Sequence, residues 1–274
     1  MKYVVGSLQA FLAREAQIVL VEVAETRGST PRETGAFMLV SPTDAHGTIG
    51  GGQMEHMAID HARAMLAGIA ADIRLDIPLG PEIGQCCGGR VALSFRRLDA
   101  PARDDLDAML NARINGFPEV WLFGGGHVGR ALADALVLLP VRTFAVETRR
   151  NELDLMSSGA SPRLTAMPEA LVKDIAPGSA VIIVTHDHAL DFLIAREALA
   201  RTDLAYAGMI GSKTKRATFA SWARDEGLED AALSRLVLPI GGKTVSDKRP
   251  AVIAALTAAE VLVALDAYRR SAAS

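Results

Sequence analysis

Two adjacent thiols, Cys86 and Cys87, are the only cysteines in the 274-residue chain, set in Gly84-Gln85-Cys86-Cys87-Gly88-Gly89-Arg90. With no further cysteine there is no disulfide framework to build, so paired sulfur in a glycine-rich turn points to sulfur chemistry or contact with a soft metal. Arg90 follows them, and a neighbouring cation raises the thiolate fraction. Two other readings stay open: a pair of inert buried thiols, which the flanking glycines argue against, and a vicinal disulfide in a redox or scaffold protein. The chain offers no C-x-x-C and no matched Cys/His spacing for a four-ligand zinc site.

Two glycine runs could hold anions. Gly50-Gly51-Gly52 precedes a helix that opens at Gln53, and free N–H groups at a helix start attract phosphate. Arg27 and Arg32 lie in the polar loop between the first two expected strands. Convergence of these loops with Arg90 and the thiols would form a pocket for a sulfur-bearing, phosphorylated ligand; the alternative is that the glycines simply make turns. The second run, Gly124-Gly125-Gly126-His127-Val128-Gly129, fits G-x-G-x-x-G after an apolar strand and before a helix. Glu147 ends the next strand, where an acid accepts a ribose hydroxyl. Arg149 and Arg150 would suit a 2′-phosphate, so NAD and NADP both stay open, as does a dinucleotide fold whose site is empty or reassigned.

Other polar clusters are weaker. Ser212 and Lys213 follow a strand and start a helix, a further phosphate-type arrangement. His186-Asp187-His188 also follows a strand end, where a ligand role competes with a self-satisfied loop. His56 and His61 are about 140° apart around their helix and share no face, and Glu55 is a possible pocket-side carboxylate.

The elements that must position these groups fall into two patterns. Residues 18–23, 36–40, 72–77 and 90–96 read as strands around a helix over 53–67, whose apolar residues recur at three- and four-residue steps. From Glu119 onward strands and helices alternate, which implies a parallel sheet covered on both faces. Leu98 to Pro118 is polar and punctuated by Pro101 and Pro118. The expected organisation is therefore α/β: a smaller N-terminal α+β domain over 1–100 carrying the cysteine loop, and a C-terminal Rossmann-like domain over 118–274.

Composition narrows the partners. Half of the residues are hydrophobic and 22% are charged, enough for a sizeable core. A net charge of -3, scattered cations and only 3 Tyr and 2 Trp argue against nucleic acid. No run approaches ~18 uninterrupted apolar residues, so no membrane span is expected. The N-terminus has no signal-peptide pattern, and with so few cysteines a cytoplasmic, reducing location is expected.

Taken together, ETRGSTPRETGAFMLV, GTIGGGQMEH, GQCCGGRV, LFGGGHVGRAL, VTHDHALD and YAGMIGSKTKRATF resemble the XdhC/CoxI family. The resemblance implies a molybdenum cofactor chaperone and not a turnover enzyme. Such a protein holds the molybdopterin-type cofactor while a NifS-like cysteine desulfurase supplies its terminal sulfide, then delivers it to apo xanthine dehydrogenase. By motif, Cys86 and Cys87 would lie by the metal or its sulfur, and Gln53 with the Gly50–Gly52 turn would hold the pterin or phosphate. A homodimer is the family-based expectation. Where the family often has an aspartate after the second Rossmann strand, this chain has Glu147. The competing reading is an NAD(P)-dependent oxidoreductase built on the C-terminal domain.

Overall fold

The structure is a computed structural model that describes residues 8, 10–70, 72–80, 88–157, 159–242 and 244–272. Cys86 and Cys87 lie outside the described residues. The chain divides into two compact units, Val4–Asn111 and one that takes in Ala112–Ser274.

The first unit is built on an antiparallel sheet. Its strands are β1 (Val19–Arg27), β2 (Phe37–Val40), β3 (Ala45–Gly47), β4 (Arg74–Pro78) and β5 (Arg90–Arg97), in the order β3-β2-β1-β5-β4. Alternation on β1 sends Val19, Val21 and Val23 to one face and Leu20 to the other. Against the first face packs helix α1 (Gly52–Leu66) through Met54, Ala58, Ala62 and Met65, a four-four-three spacing that makes one stripe. Gly68, at φ 76, ends the helix by donating its N–H to the Met65 carbonyl. The second face carries Leu39, Phe11, Leu106 and Leu110.

Leu106 and Leu110 belong to α2 (Ala100–Asn115), a sixteen-residue helix where the sequence reads as a polar, proline-broken segment. Pro101 sits in its first turn, where a missing N–H costs nothing, and only Ala102, Leu106 and Leu110 are buried. Arg103 fastens the unit's N-terminal helical turn, donating to the carbonyls of Leu12, Glu15 and Ala16.

The second unit is an all-parallel sheet of β6 (Glu119–Phe123), β7 (Arg142–Glu147), β8 (Ser161–Leu164), β9 (Ala180–Ile183), β10 (Tyr206–Met209) and β11 (Leu236–Val237). Their order is β11-β10-β9-β6-β7-β8, which in chain sequence is the 3-2-1-4-5-6 arrangement of dinucleotide-binding folds. Helices α3 (His127–Leu136), α4 (Arg150–Leu153), α5 (His188–Ala200), α6 (Lys213–Asp225), α7 (Asp230–Ser234) and α8 (Pro250–Ala272) complete the unit. Val120 and Leu122 face α3 and α8, while Trp121 and Phe123 face α5, α6 and the 3-10 turn at Pro168–Asp174. This is the expected parallel sheet with helices on both faces. By length and composition α8 could cross a membrane; in this unit Ala254, Ala258, Val261 and Leu265 join the core with Leu132 and Leu136 of α3.

The last strand, β11, ends at Val237, two residues before Pro239, which has no N–H to donate to a sheet. Two short strands are invisible in the sequence pattern: β3, three residues long, and β8, whose Ser-Pro-Arg-Leu sequence has no apolar alternation.

Candidate functional site

Three segments of the first unit meet. A Cβ on Gly89 would lie 2.2 Å from the Ser29 carbonyl oxygen and 2.7 Å from that of Arg27, so only glycine fits beneath the 27–32 loop. Ser29 pairs with Gly88, the residue that follows Cys87 in sequence. On the other side Pro31 lies 2.7 Å from the Cβ position of Gly50. The 27–32 loop thus touches both the glycine turn and the segment leaving the cysteine run.

The glycine turn is built differently from a bare phosphate cradle. Gly50, Gly51 and Gly52 take φ values of 134, 78 and 68, a run of left-handed conformations open only to glycine. Into it folds Glu55, whose Oε2 accepts from the Thr48 hydroxyl (2.7 Å) and from the N–H groups of Ile49 (3.3 Å) and Gly51 (2.9 Å). The chain's own carboxylate takes the place expected for a bound anion, and Gln53 is exposed in the first turn of α1.

The expected cations are largely spoken for. Arg90 pairs with Asp76 at 2.6 Å, which raises the guanidinium pKa and lowers that of the carboxyl through their hydrogen bond. Arg27 pairs with Glu25 at 2.7 Å. Arg32 is exposed beside Pro31, and its carbonyl accepts the Thr30 hydroxyl. His61 bonds the Asp72 carbonyl at 2.8 Å and packs edge-on against Phe95, a structural role, while His56 is exposed.

In the second unit the strand order reverses between β6 and β9, which opens a crevice at their carboxyl ends. Gly124, at φ 117, would place a Cβ 2.4 Å from the Val184 carbonyl, and Gly129 would place one 2.0 Å from that of Gly124. These two glycines serve the packing of loop and helix against strand. Glu147 ends β7 beneath the loop and is 4% exposed. Its Oε2 accepts the Gly125 N–H (2.7 Å), and its Oε1 accepts those of Thr148 (2.9 Å) and Arg149 (3.1 Å). The Arg149 guanidinium adds longer contacts at 3.3 and 3.4 Å. Burial alone would raise the Glu147 pKa, but Arg149 and the three backbone donors together bring it down to about 2.

Across the crevice Asp191 and Lys215 form a buried ion pair, 1% and 8% exposed. Asp191 also accepts the Thr185 N–H (3.1 Å) and hydroxyl (2.7 Å), and Lys215 donates to the Ile210 carbonyl (3.0 Å). The pair therefore ties the ends of β9 and β10 to α5 and α6. Sequence reasoning missed it. The available signal was Asp191, one turn after the capping Asp187, and a lysine at the third position of α6.

The remaining expected clusters resolve into capping. The Ser212 hydroxyl accepts the Lys215 N–H at the start of α6, and Lys213 is exposed. Asp187 caps α5 by accepting from Ala189 (2.8 Å) and Leu190 (3.4 Å), with His186 and His188 exposed on either side. Among the described residues no three His, Cys, Asp or Glu side chains gather as metal ligands.

Known proteins echo both units. Residues 120–261 match the XdhC Rossmann domain, and residues 11–75 match the XdhC and CoxI family. The chain is 27% identical over 256 residues to "Uncharacterized protein YqeB" of Escherichia coli strain K12, covering 89% of this chain and 42% of that protein. It thus spans about two fifths of that relative's length. A solved Bacillus halodurans structure described as a xanthine dehydrogenase superposes with a TM-score of 0.78 over 99% of this chain and 98% of its own, at 17% identity. At that identity the likeness speaks for the fold.

Proposed function

The chain belongs to the XdhC and CoxI family, and from that membership we propose that it is an accessory protein of xanthine dehydrogenase that carries molybdenum cofactor. In this reading it holds the cofactor while a cysteine desulfurase installs the terminal sulfide, then hands it to the apo-enzyme. The cofactor is cargo, and the chain performs no turnover of its own.

The observation that supports the reading is the meeting of the 27–32, 48–52 and 88–90 segments in the first unit. Molybdenum bearing a sulfide and a dithiolene favours soft sulfur and a sheltered polar surround. Cys86 and Cys87 precede Gly88 in the chain and would supply the sulfur contact. Glu55 takes the Gly51 N–H and Thr48 the Gly50 N–H, so the turn contributes mainly shape, and exposed Gln53 and Arg32 would make the polar contacts to pterin or phosphate.

The test is cofactor content. Protein isolated anaerobically from cells that make the cofactor should retain molybdopterin, release it on denaturation and restore activity to apo xanthine dehydrogenase. Cys86→Ala and Cys87→Ala should each lower retention in a folded protein. Normal retention in both single variants and in the double variant would remove the thiols from the reading, and absence of molybdopterin from the wild type would end it.

A further inference from the structure

We propose that this chain forms a two-fold dimer in solution through the outward face of α8, with two copies of the helix crossing at Ala259. The surface lies within the second unit and shares no residue with the 27–32, 48–52 and 88–90 segments.

Half of α8 is turned to solvent without a polar residue on it. The helix spans 23 residues, and only 28% of its most apolar stretch is buried, so its hydrophobicity exceeds what its own core uses. Ala254, Thr257, Ala258, Val261 and Leu265 face inward. Ala251, Ala255, Ala259, Val263 and Ala267 recur every fourth residue on the other side, all exposed, Val263 by 69%. Half-buried Val252, Leu256 and Leu262 flank that row. From Ala251 to Leu265 the one charged residue is Glu260, at the border of the face. Its carboxylate is engaged by the Tyr206 hydroxyl (3.0 Å) and the Gly241 N–H (2.9 Å). A surface helix ordinarily carries its charged residues opposite the core. An apolar outer face four turns long marks a contact surface.

The occupant that matches this face is a second copy of it. Around a two-fold axis a residue at the axis meets its own counterpart, so a lone charge there would oppose its like. The row carries none. The charges near its ends are paired within the chain: Asp266 holds Arg269 (2.6 Å) and Arg270 (2.8 Å), and Asp247 holds Arg249. A strongly acidic or basic partner would therefore find no counter-charge along the row. Residues four apart form a ridge, and two such ridges interdigitate at about −50°. Alanines let the axes approach to about 8 Å, and Ala259 lies midway between Ala251 and Ala267. At that angle the helix ends splay, which keeps the arginines of the two copies apart. A lipid surface fits less well, because it gains from large apolar anchors and four of the five exposed residues are alanines. A single helix crossing buries less than the roughly 1,600 Å² of a standard interface, so dissociation in the micromolar range is expected.

Sedimentation velocity of the full chain from about 1 to about 200 µM tests the assignment. The wild type should pass from monomer to dimer over that range. Ala259→Glu sets a charge against its own copy at the axis and should weaken association at least about tenfold while the far-UV circular dichroism stays unchanged. Val263→Lys, on the same row, should act likewise. An equimolar mixture of Ala259→Glu and Ala259→Lys chains should associate at least about tenfold more tightly than either alone, a rescue that only a contact of position 259 with its own copy produces. Ile69→Lys, at a residue 82% exposed in the first unit, should leave association as in the wild type. A wild type still monomeric at the highest concentration, a dimer indifferent to both Ala259→Glu and Val263→Lys, or a mixture without rescue would each overturn the proposal. Wild-type monomer that co-sediments with anionic phospholipid vesicles, and loses this in Ala259→Glu, would overturn it in favour of a lipid surface.

Discussion

Replacing Lys215 by methionine probes the buried pair that holds the crevice together. The substitution roughly preserves the length of the side chain and removes its charge, leaving Asp191, 1% exposed, without its cation. The carboxylate would keep only the Thr185 N–H and hydroxyl as donors, and the Ile210 carbonyl would lose its Nζ partner. Stranding one member of a buried pair costs about 3–5 kcal/mol. Adding Asp191→Asn removes the stranded charge while the amide oxygen still accepts from Thr185. The double variant should therefore sit only ~1–2 kcal/mol below wild type, the residual reflecting lost hydrogen bonds. Urea unfolding followed by tryptophan fluorescence reads this unit alone, because the two tryptophans, Trp121 and Trp222, both lie in it. Two results would refute the reasoning: a single variant within about 1 kcal/mol of wild type, or a double variant no more stable than Lys215→Met.

Two further outcomes follow from the geometry. Glu147 has a pKa of about 2 in the folded chain against 4.5 for the free side chain, so its contribution is complete above about pH 4.5 and drains away as pH falls toward 2. Glu147→Gln should thus cost ~1–3 kcal/mol at pH 7 and distinctly less at pH 3, read from urea midpoints at the two pH values; an equal loss at both would contradict the linkage. Gly89→Ala would drive a Cβ to 2.2 Å from the Ser29 oxygen. It should destabilise the first unit by about 1–3 kcal/mol or more, seen as faster hydrogen exchange in residues 18–27 and 90–97, and lower molybdopterin retention.

The scaffold was more legible in the sequence than its site chemistry. The strand at Glu119–Phe123 and the alternation after it show plainly because buried parallel strands are continuous apolar runs between amphipathic helices. The α2 helix was hidden because three buried residues in sixteen leave little periodicity. Ser212 reads as a phosphate ligand and serves as a cap, since the same hydroxyl satisfies either partner and sequence does not record which is nearer. Lys213 and Lys215 are equally basic in sequence; only the packing of α6 against α5 decides that the second is buried. Glu55 and Glu147 show the same limit. Each follows or faces a glycine run that looks vacant in sequence, and each proves to be the anion that the run holds.

The edges of both sheets bear on how this protein meets others. The outermost strands are β3, three residues long; β4, which ends on Pro78; β8, which contains Pro162; and β11, two residues long. Short strands and prolines make poor templates for a neighbouring chain's backbone. Among the described residues both sheets thus offer blunted edges, which favours association through side-chain surfaces on helices and loops over strand addition. Such contacts can form and separate without the adhesive ladder of strand addition, as the carrier role proposed above would require.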